Sequence, residues 1–363
     1  MTQEQKQLLS LLSNALFGTP SKAEPSPELL AEARIQAVST LIALDCSVMA
    51  SNIRVLNAHA EATGILRDIP FVTIKGCASA SYYPQPVKRP MGDVDVYADP
   101  AWHDTAVRRL EENGWKDMKE AHERHRSFSK NGILLELHHE IKGVPNAPDG
   151  IATASKTAEA KVRKLLSGLV SAGRALETQH GPVLIPDDFH HGLVMLLHIA
   201  GHMVNNAGIG LRHLCDWAVY VSRVDLAQFR AQLADVGLWT FACQLTAVSS
   251  KYLGLPSRPW AGSFPDEFLD ALMEDILAAG NFGRKLSGMA PARNLWENGA
   301  VRMTRERYPI TQKHPVLLPV FMGAYLVRYC CLLAAGKRKL ISPAMFSQLK
   351  GKEELYKQFK LFE

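Results

Sequence analysis

The apolar positions of this chain change period along its length, and each change marks a new kind of element. Up to about residue 68 they recur at helical spacing, with Leu8, Leu9, Leu11, Leu12 and Leu16 in a first helix and a second helical run over positions 29 to 62. From Phe71 the pattern shortens to a β-branched run, Phe71-Val72-Thr73-Ile74, which stops at Lys75-Gly76 and passes into the small, helix-compatible Cys77-Ala78-Ser79-Ala80-Ser81. A second strand is expected from Asp93 to Asp99, where Asp93 and Asp95 alternate with Val94 and Val96, and a helix is expected from Trp102 to Asn113. His125 to Lys130 and Ile133 to Glu140 then flank Asn131-Gly132, the preferred pair for a two-residue type I′ turn, and predict a β-hairpin. A turn-rich stretch from Pro145 to Gly150 closes this region, and beyond it the spacing is predominantly helical, with breaks near Gly181-Pro182, Pro256 and Pro309. The expected class is α+β: an N-terminal helical segment (1–68), a small mixed-sheet core (69–150) and a large helical C-terminal domain (151–363).

The alternation at Asp93-Val94-Asp95 carries the first chemical signal. Successive strand side chains alternate faces, so the two carboxylates project together while Val94 and Val96 enter the opposite layer. Paired carboxylates raise each other's pKa unless a cation sits between them, and Mg²⁺ commonly takes one or two protein carboxylates and fills its shell with phosphates and water. In the hairpin, Ile133, Leu135 and Leu137 share one face, while Leu134, Glu136, His138 and Glu140 share the other, so sheet pairing can deliver a third carboxylate beside the pair. The strand, glycine and helix sequence at Gly76 exposes backbone N–H groups at a helix start, where a phosphate can dock with Lys75 as added positive charge. Ordinary turn punctuation is the plainer reading of that glycine.

These residues coincide with a known pattern. Lys75-Gly76, Tyr83-Pro84, the block Arg89-Pro90-Met91-Gly92-Asp93-Val94-Asp95-Val96 and Glu136-Leu137-His138 together resemble the uncharacterised nucleotidyltransferase-like family of bacteria, within the polymerase β-like nucleotidyltransferase superfamily. Gly210-Leu211-Arg212-His213-Leu214-Cys215-Asp216 and Gly280-Asn281-Phe282-Gly283 extend the resemblance over most of the chain. It implies a nucleotidyltransferase core in which Gly76 is the turn glycine, Asp93 and Asp95 are metal ligands and Glu136 is the third carboxylate. It also implies two divalent ions, Mg²⁺ or Mn²⁺, held against an NTP. Three departures stand out: Cys77 occupies the usual Ser or second Gly position, the gap from Gly76 to Asp93 is long, and Glu136 replaces a frequent Asp. The prolines of that gap favour an extended loop from which Lys88 and Arg89 are expected to reach the triphosphate.

The chemistry then expected is transfer of an NMP from an NTP to an acceptor hydroxyl or phosphate, with Glu136 or His138 taking the acceptor's proton. The resemblance leaves the acceptor open among small molecules, saccharides, peptides and proteins, and the chain lacks the interleaved basic and aromatic module that a long nucleic acid requires. The competing expectation is a catalytically idle nucleotide-binding or scaffold protein that retains the fold.

Composition adds limits. With 363 residues, 47% hydrophobic and 21% charged, the chain is globular and large enough for two or three domains. Its six cysteines form no CxxC pair and its N-terminus reads as an amphipathic helix rather than a signal peptide, so a reducing cytoplasm is expected. From Val301 onward twelve Lys/Arg face four Asp/Glu, so this stretch carries +8 and the remainder −3, and Lys337-Arg338-Lys339 within it could meet a polyanion or an acidic membrane. The apolar stretch from Pro315 to Leu333 before it contains Arg328 and two prolines, and is expected as a buried helix rather than a membrane anchor. Finally, His190, His191, His198, His202 and His213 cluster in sequence near Arg212 and Asp216. His198 and His202 are one turn apart, but Ile199 and Ala200 stand where a metalloprotease needs glutamate, so helix packing is the first expectation, with substrate contact second, for Arg212 above all.

Overall fold

The strands form where apolar and polar residues alternate, because that alternation gives a sheet one face for a core and one for chemistry. The computed structural model describes residues 1–119, 124–141, 143–145, 156–205, 208–286, 304–305, 307–308, 310–334 and 351–363. Five strands, β1 (Phe71–Thr73), β2 (Asp93–Ala98), β3 (Lys116–Asp117), β4 (His125–Lys130) and β5 (Ile133–His138), form one mixed sheet in the order β1-β2-β5-β4-β3. The β2/β5 pair is parallel and its neighbours are antiparallel. A separate two-stranded hairpin pairs β6 (Arg174–Leu176) with β7 (Val183–Ile185).

Around these lie the helices. The N-terminal ones are α1 (Gln3–Phe17), α2 (Pro27–Ile35), α3 (Ser39–Ile42) and α4 (Cys46–Leu66), and the sheet region carries α5 (Cys77–Ala80) and α6 (His103–Glu112). The C-terminal half holds α7 (Lys156–Leu166), α8 (Asp188–Asn205), α9 (Leu211–Arg223), α10 (Arg230–Asp235), α11 (Trp239–Leu253), α12 (Asp266–Ala279), α13 (Ile310–Lys313) and α14 (Leu318–Ala334). The chain is thus α+β, as its periodicities predict.

Two cores divide the apolar residues. Val94, Val96, Leu135, Leu137 and Phe128 on the inner sheet face pack with Val55, Ala62 and Leu66 of α4 and with Ala106 and Leu110 of α6. Val183 and Ile185 of β7 join the same cluster, although three-residue strands between prolines are too short to register as a change of period. The larger core is helical: Leu8, Leu9, Leu12 and Leu16 of α1 pack with residues of α9, α11 and α12 and with Tyr356, Phe359 and Phe362 from the end of the chain. The N-terminal helices therefore serve both cores rather than one segment of their own.

The Asn-Gly turn behaves as its sequence predicts. Asn131 and Gly132 have φ of 51° and 75°, the left-handed pair of a type I′ turn, and they set Lys130 opposite Ile133 and His125 opposite His138. The second strand stops two residues short of the expected Glu140, which lies exposed with one oxygen 3.8 Å from Arg163.

One expectation is overturned. The apolar C-terminal stretch forms a helix as predicted, yet the 18-residue window Pro315–Leu332, of mean hydropathy 1.6, is only 6% buried. Val316, Val320 and Val327 are 83%, 69% and 65% exposed, whereas Tyr325 is buried. A helix apolar on every side has no stripe to direct it toward one neighbour. The helical core it was expected to enter is filled instead by the aromatic C-terminus. By length and composition α14 could cross a membrane. Residues 146–150 of the expected domain boundary and Lys337-Arg338-Lys339 lie outside the described residues.

Candidate active site

Parallel pairing of β2 with β5 puts Asp95 directly beside Glu136, and Asp93 sits two residues back on the same face. Oxygens of Asp93, Asp95 and Glu136 come within 4.8 Å of one another. Asp95 is the buried centre of this group: its Oδ1 accepts a hydrogen bond from Lys75 Nζ at 2.8 Å and lies 3.1 Å from His138 Nε2. The same His138 nitrogen is 3.3 Å from Glu136 Oε2. The three carboxylates inferred from alternation and resemblance, with Lys75 and His138, are therefore brought together.

Their proton affinities diverge for physical reasons. Asp93 is pushed up to about 6, chiefly by the negative charge of Asp95 and then by its own burial, with Lys75 opposing. Asp95 is held far below the ordinary carboxylate range: burial works against its charge, but Lys75 and His138 outweigh it. Glu136 is lowered by its hydrogen bond with His138. His138 is raised, because Asp95 and Glu136 overcome the cost of burying its charge.

Gly76 is needed for backbone reasons. With φ 58° and ψ −108° it caps α5, and a Cβ built there would lie 2.6 Å from Nε2 of the fully buried His59. We expect Gly76→Ala to destabilise the protein by about 2–4 kcal/mol, from left-handed strain plus the clash. Urea unfolding of the variant measures it, and an unchanged midpoint would contradict this account of the turn.

Three expected nucleotide contacts are revised. Cys77 is buried in the inner sheet core, where burial pushes its thiol up to about 12, so only its backbone remains for a ligand. Lys88 lines a different cleft, with Tyr83, Gln85 and Leu44, and its carbonyl accepts a hydrogen bond from Thr40 at 2.6 Å. Arg89 is buried and clamps Asp216 of α9 with two hydrogen bonds of 2.7 Å while reaching the carbonyl of Gly76 at 3.2 Å. Tyr83 donates to the same Asp216 at 2.7 Å. The long Gly76 to Asp93 loop is thus pinned rather than extended, further held by Asn52 of α4, which bonds the carbonyl of Val87 at 2.8 Å and the N–H of Met91 at 2.9 Å. Proline content limits a loop's backbone but says nothing about such distant anchors.

The facing wall of the cleft comes from α8 and α9. It presents Arg212, His213, His191, Val194 and His198 opposite Lys75, Asp93 and Asp95, with Phe282 at the edge. Arg212 does not pair with Asp216 four residues on, because Arg89 has taken that carboxylate. Its guanidinium lies 4.9 Å from the Phe282 ring centre, and its Nε has no hydrogen-bond partner among the described residues.

The histidines mostly pack, as expected. His190 bonds Asp187 at 2.7 Å and the carbonyl of Leu165 at 3.1 Å. His191 stacks on Tyr82 with ring centres 5.2 Å apart, and His198, His202 and His213 surround Phe282. Among the described residues none of these belongs to a metal-capable group. Burial lowers the pKa of His59 and of His191 to about 4, and those of His198 and His213 well below the ordinary value. These imidazoles are neutral when folded, so between pH 6.5 and 4 the unfolded chain takes up protons that the folded chain refuses. Stability is therefore complete above about pH 6.5 and falls as the pH drops below it. For His59 and His191 the loss is about 2 kcal/mol each by pH 5. Urea midpoints at pH 7 and pH 5 test it, and equal midpoints would refute it.

One metal-capable residue escapes the sequence reading. His125 Nε2 lies 3.7 Å from Glu136 Oε1, and its ring centre is 4.9 Å from that of His138. The signal was present, since the two-residue turn at Asn131-Gly132 already sets His125 opposite His138.

A mixed sheet that presents Asp-x-Asp beside a third carboxylate, with Lys75 on Asp95 and Arg212 across the cleft, has the acidic arrangement of a nucleotidyltransferase-class site, a group able to hold a metal ion. The chain belongs to the uncharacterised nucleotidyltransferase family, whose model matches residues 4–254, from the first turn of α1 to the glycine that caps α11. No curated protein and no solved structure matches it.

Proposed function

We propose that the protein is a Mg²⁺- or Mn²⁺-dependent nucleotidyltransferase that transfers an NMP from an NTP to an acceptor hydroxyl or phosphate, and that it works in the cytoplasm. The observation that carries this reading is the convergence of Asp93, Asp95 and Glu136 within 4.8 Å, with Asp93 and Asp95 lining one cleft together with Lys75 and Arg212. An oxygen-only set of three carboxylates suits a hard divalent cation, and the mutual repulsion that raises Asp93 is what such a cation relieves. When bound, the cation supplies charge neutralisation on the transferred phosphoryl group and on the attacking and leaving oxygens.

The chain's own residues do the rest. Lys75, seated on Asp95, and Arg212, on the opposite wall, supply positive charge on two sides of a triphosphate. Glu136 or His138, beside Asp95, accepts the acceptor's proton. Arg89 and Asp216, which also line the cleft, position the turn at Gly76. All six cysteines are free, which fits a reducing compartment.

A second reading has one specific observation in its favour. Lys75 Nζ and His138 Nε2 both lie on Asp95 Oδ1, so protein cations already balance the acid that should hold metal. A fold that had replaced its metal by Lys75 would bind nucleotide without turnover, or not at all. Calorimetry with each of the four NTPs, in Mg²⁺ and then in EDTA, separates the two. Binding that needs the metal, followed by pyrophosphate release with an acceptor, is the expected result; absence of binding in both Mg²⁺ and Mn²⁺ refutes the first reading.

A further inference from the structure

We propose that His125, Glu136 and His138 form a second metal site, distinct in chemistry from the Asp93 and Asp95 pair, that takes a borderline transition-metal ion such as Zn²⁺ in preference to Mg²⁺. The geometry is that of a ligand set. Glu136 Oε1 lies 3.7 Å from His125 Nε2, Glu136 Oε2 lies 3.3 Å from His138 Nε2, and the three donors come within 4.8 Å of one another. An ion bound tetrahedrally at about 2.0–2.1 Å separates its ligands by roughly 3.4 Å, so the two carboxylate–imidazole separations already span that edge.

The backbone holds these donors in place. His125 and His138 are directly paired across β4 and β5, and Glu136 stands one alternation back on the same face, opposite Ser127. Both imidazoles and the carboxylate are partly buried, with side chains 12%, 12% and 22% exposed, which excludes most solvent and leaves an entry path. Asp95 Oδ1, 3.1 Å from His138 Nε2, offers a fourth oxygen.

Donor chemistry sets the selectivity. Two imidazoles and a carboxylate suit Zn²⁺, Fe²⁺ or Co²⁺, whereas Mg²⁺ prefers oxygen and gives up water reluctantly. The Asp93, Asp95 and Glu136 group offers oxygens only. Because Glu136 belongs to both groups, an ion in the nitrogen-containing site shares a ligand with the acidic site and alters the charge left there. The site needs no nucleotide.

Titration of EDTA-treated full-length protein with Zn²⁺, read by calorimetry, and with Co²⁺, read by its visible absorption, tests the proposal in wild type, His125→Ala and His125→Gln. One equivalent of Zn²⁺ that survives millimolar Mg²⁺, with a tenfold or greater loss of affinity in both variants, is the expected result. Unchanged affinity in either folded variant, displacement of the ion by Mg²⁺, or no stoichiometric binding to wild type would overturn it. Circular dichroism confirms that each variant is folded, and Mg²⁺-dependent NTP binding measured in the same samples keeps failure of the proposed transferase activity separate from failure of this site.

Discussion

Asp93→Asn is expected to abolish Mg²⁺-dependent nucleotide binding while leaving folding stability unchanged or slightly raised. Asp93 belongs to the three-carboxylate group but has no hydrogen bond to Lys75 or His138 of the kind that neutralises Asp95. Its pKa near 6 shows that its charge is disfavoured where it stands, so an amide of the same shape removes repulsion with Asp95 and leaves no buried cation stranded. A charged ligand to a divalent cation contributes several kcal/mol, so the loss of affinity for Mg²⁺-NTP should be roughly 100-fold or more. Asp95→Asn makes the contrast. It should abolish binding equally, but it also removes the acceptor of Lys75 and His138 and should cost about 1.5–3 kcal/mol of stability. Calorimetry and urea unfolding of both variants measure the two effects together. Unchanged Mg²⁺-NTP affinity in both would remove these aspartates from the site, and equal stabilities would contradict their unequal environments.

Arg89→Ala is expected to be the most destabilising of the single changes, by about 3–5 kcal/mol, because it leaves the Asp216 carboxylate buried without its cation. The side chains of Arg89 and Asp216 are 5% and 7% exposed, so solvent screens the pair little. Asp216 is kept below the ordinary carboxylate value although burial opposes its charge, since Arg89 outweighs that cost. Pairing two charges in a buried place need not stabilise a fold more than apolar packing would, so Arg89→Met with Asp216→Leu should recover much of the loss. The hydrogen bond from Arg89 to the carbonyl of Gly76 also means that the single variant loosens the turn next to Lys75. Urea unfolding of Arg89→Ala and of the double variant checks this, and a cost below about 1 kcal/mol for Arg89→Ala would show that the pair is solvated.

Much of the site is legible in the order of residues alone. Alternation places Asp93 and Asp95 on one face, and the Asn-Gly turn places Glu136 and His138 on a strand ready to pair. The resemblance then names the three carboxylates, which the sheet brings within 4.8 Å of one another. What misleads is side-chain reach. Arg89 looks free to meet a triphosphate because nothing local opposes a loop arginine, whereas Asp216, its partner, lies 127 residues away. Cys77 looks like part of a phosphate turn, but the turn directs its thiol into the sheet core. Lys88 faces another cleft because Thr40 and Asn52 hold its loop from the far side.

The sequence by itself determined the longer elements and the faces of the β2 and β5 residues, because period, turn chemistry and strand alternation are local properties of the backbone, whereas the short β6 and β7 left no such signal. It also put forward Asp93, Asp95 and Glu136, whose oxygens the sheet brings within 4.8 Å of one another. The tertiary structure decided which charges meet. Lys75 sits on Asp95, Arg89 is consumed by Asp216, Arg212 is left beside Phe282, and His125 completes a second ligand set. It also decided that the aromatic C-terminus, and not α14, fills the helical core. Local pattern states only that a residue is charged or apolar; its partner is set by competition among distant groups for the same buried space, and that competition is settled only when the chain is packed.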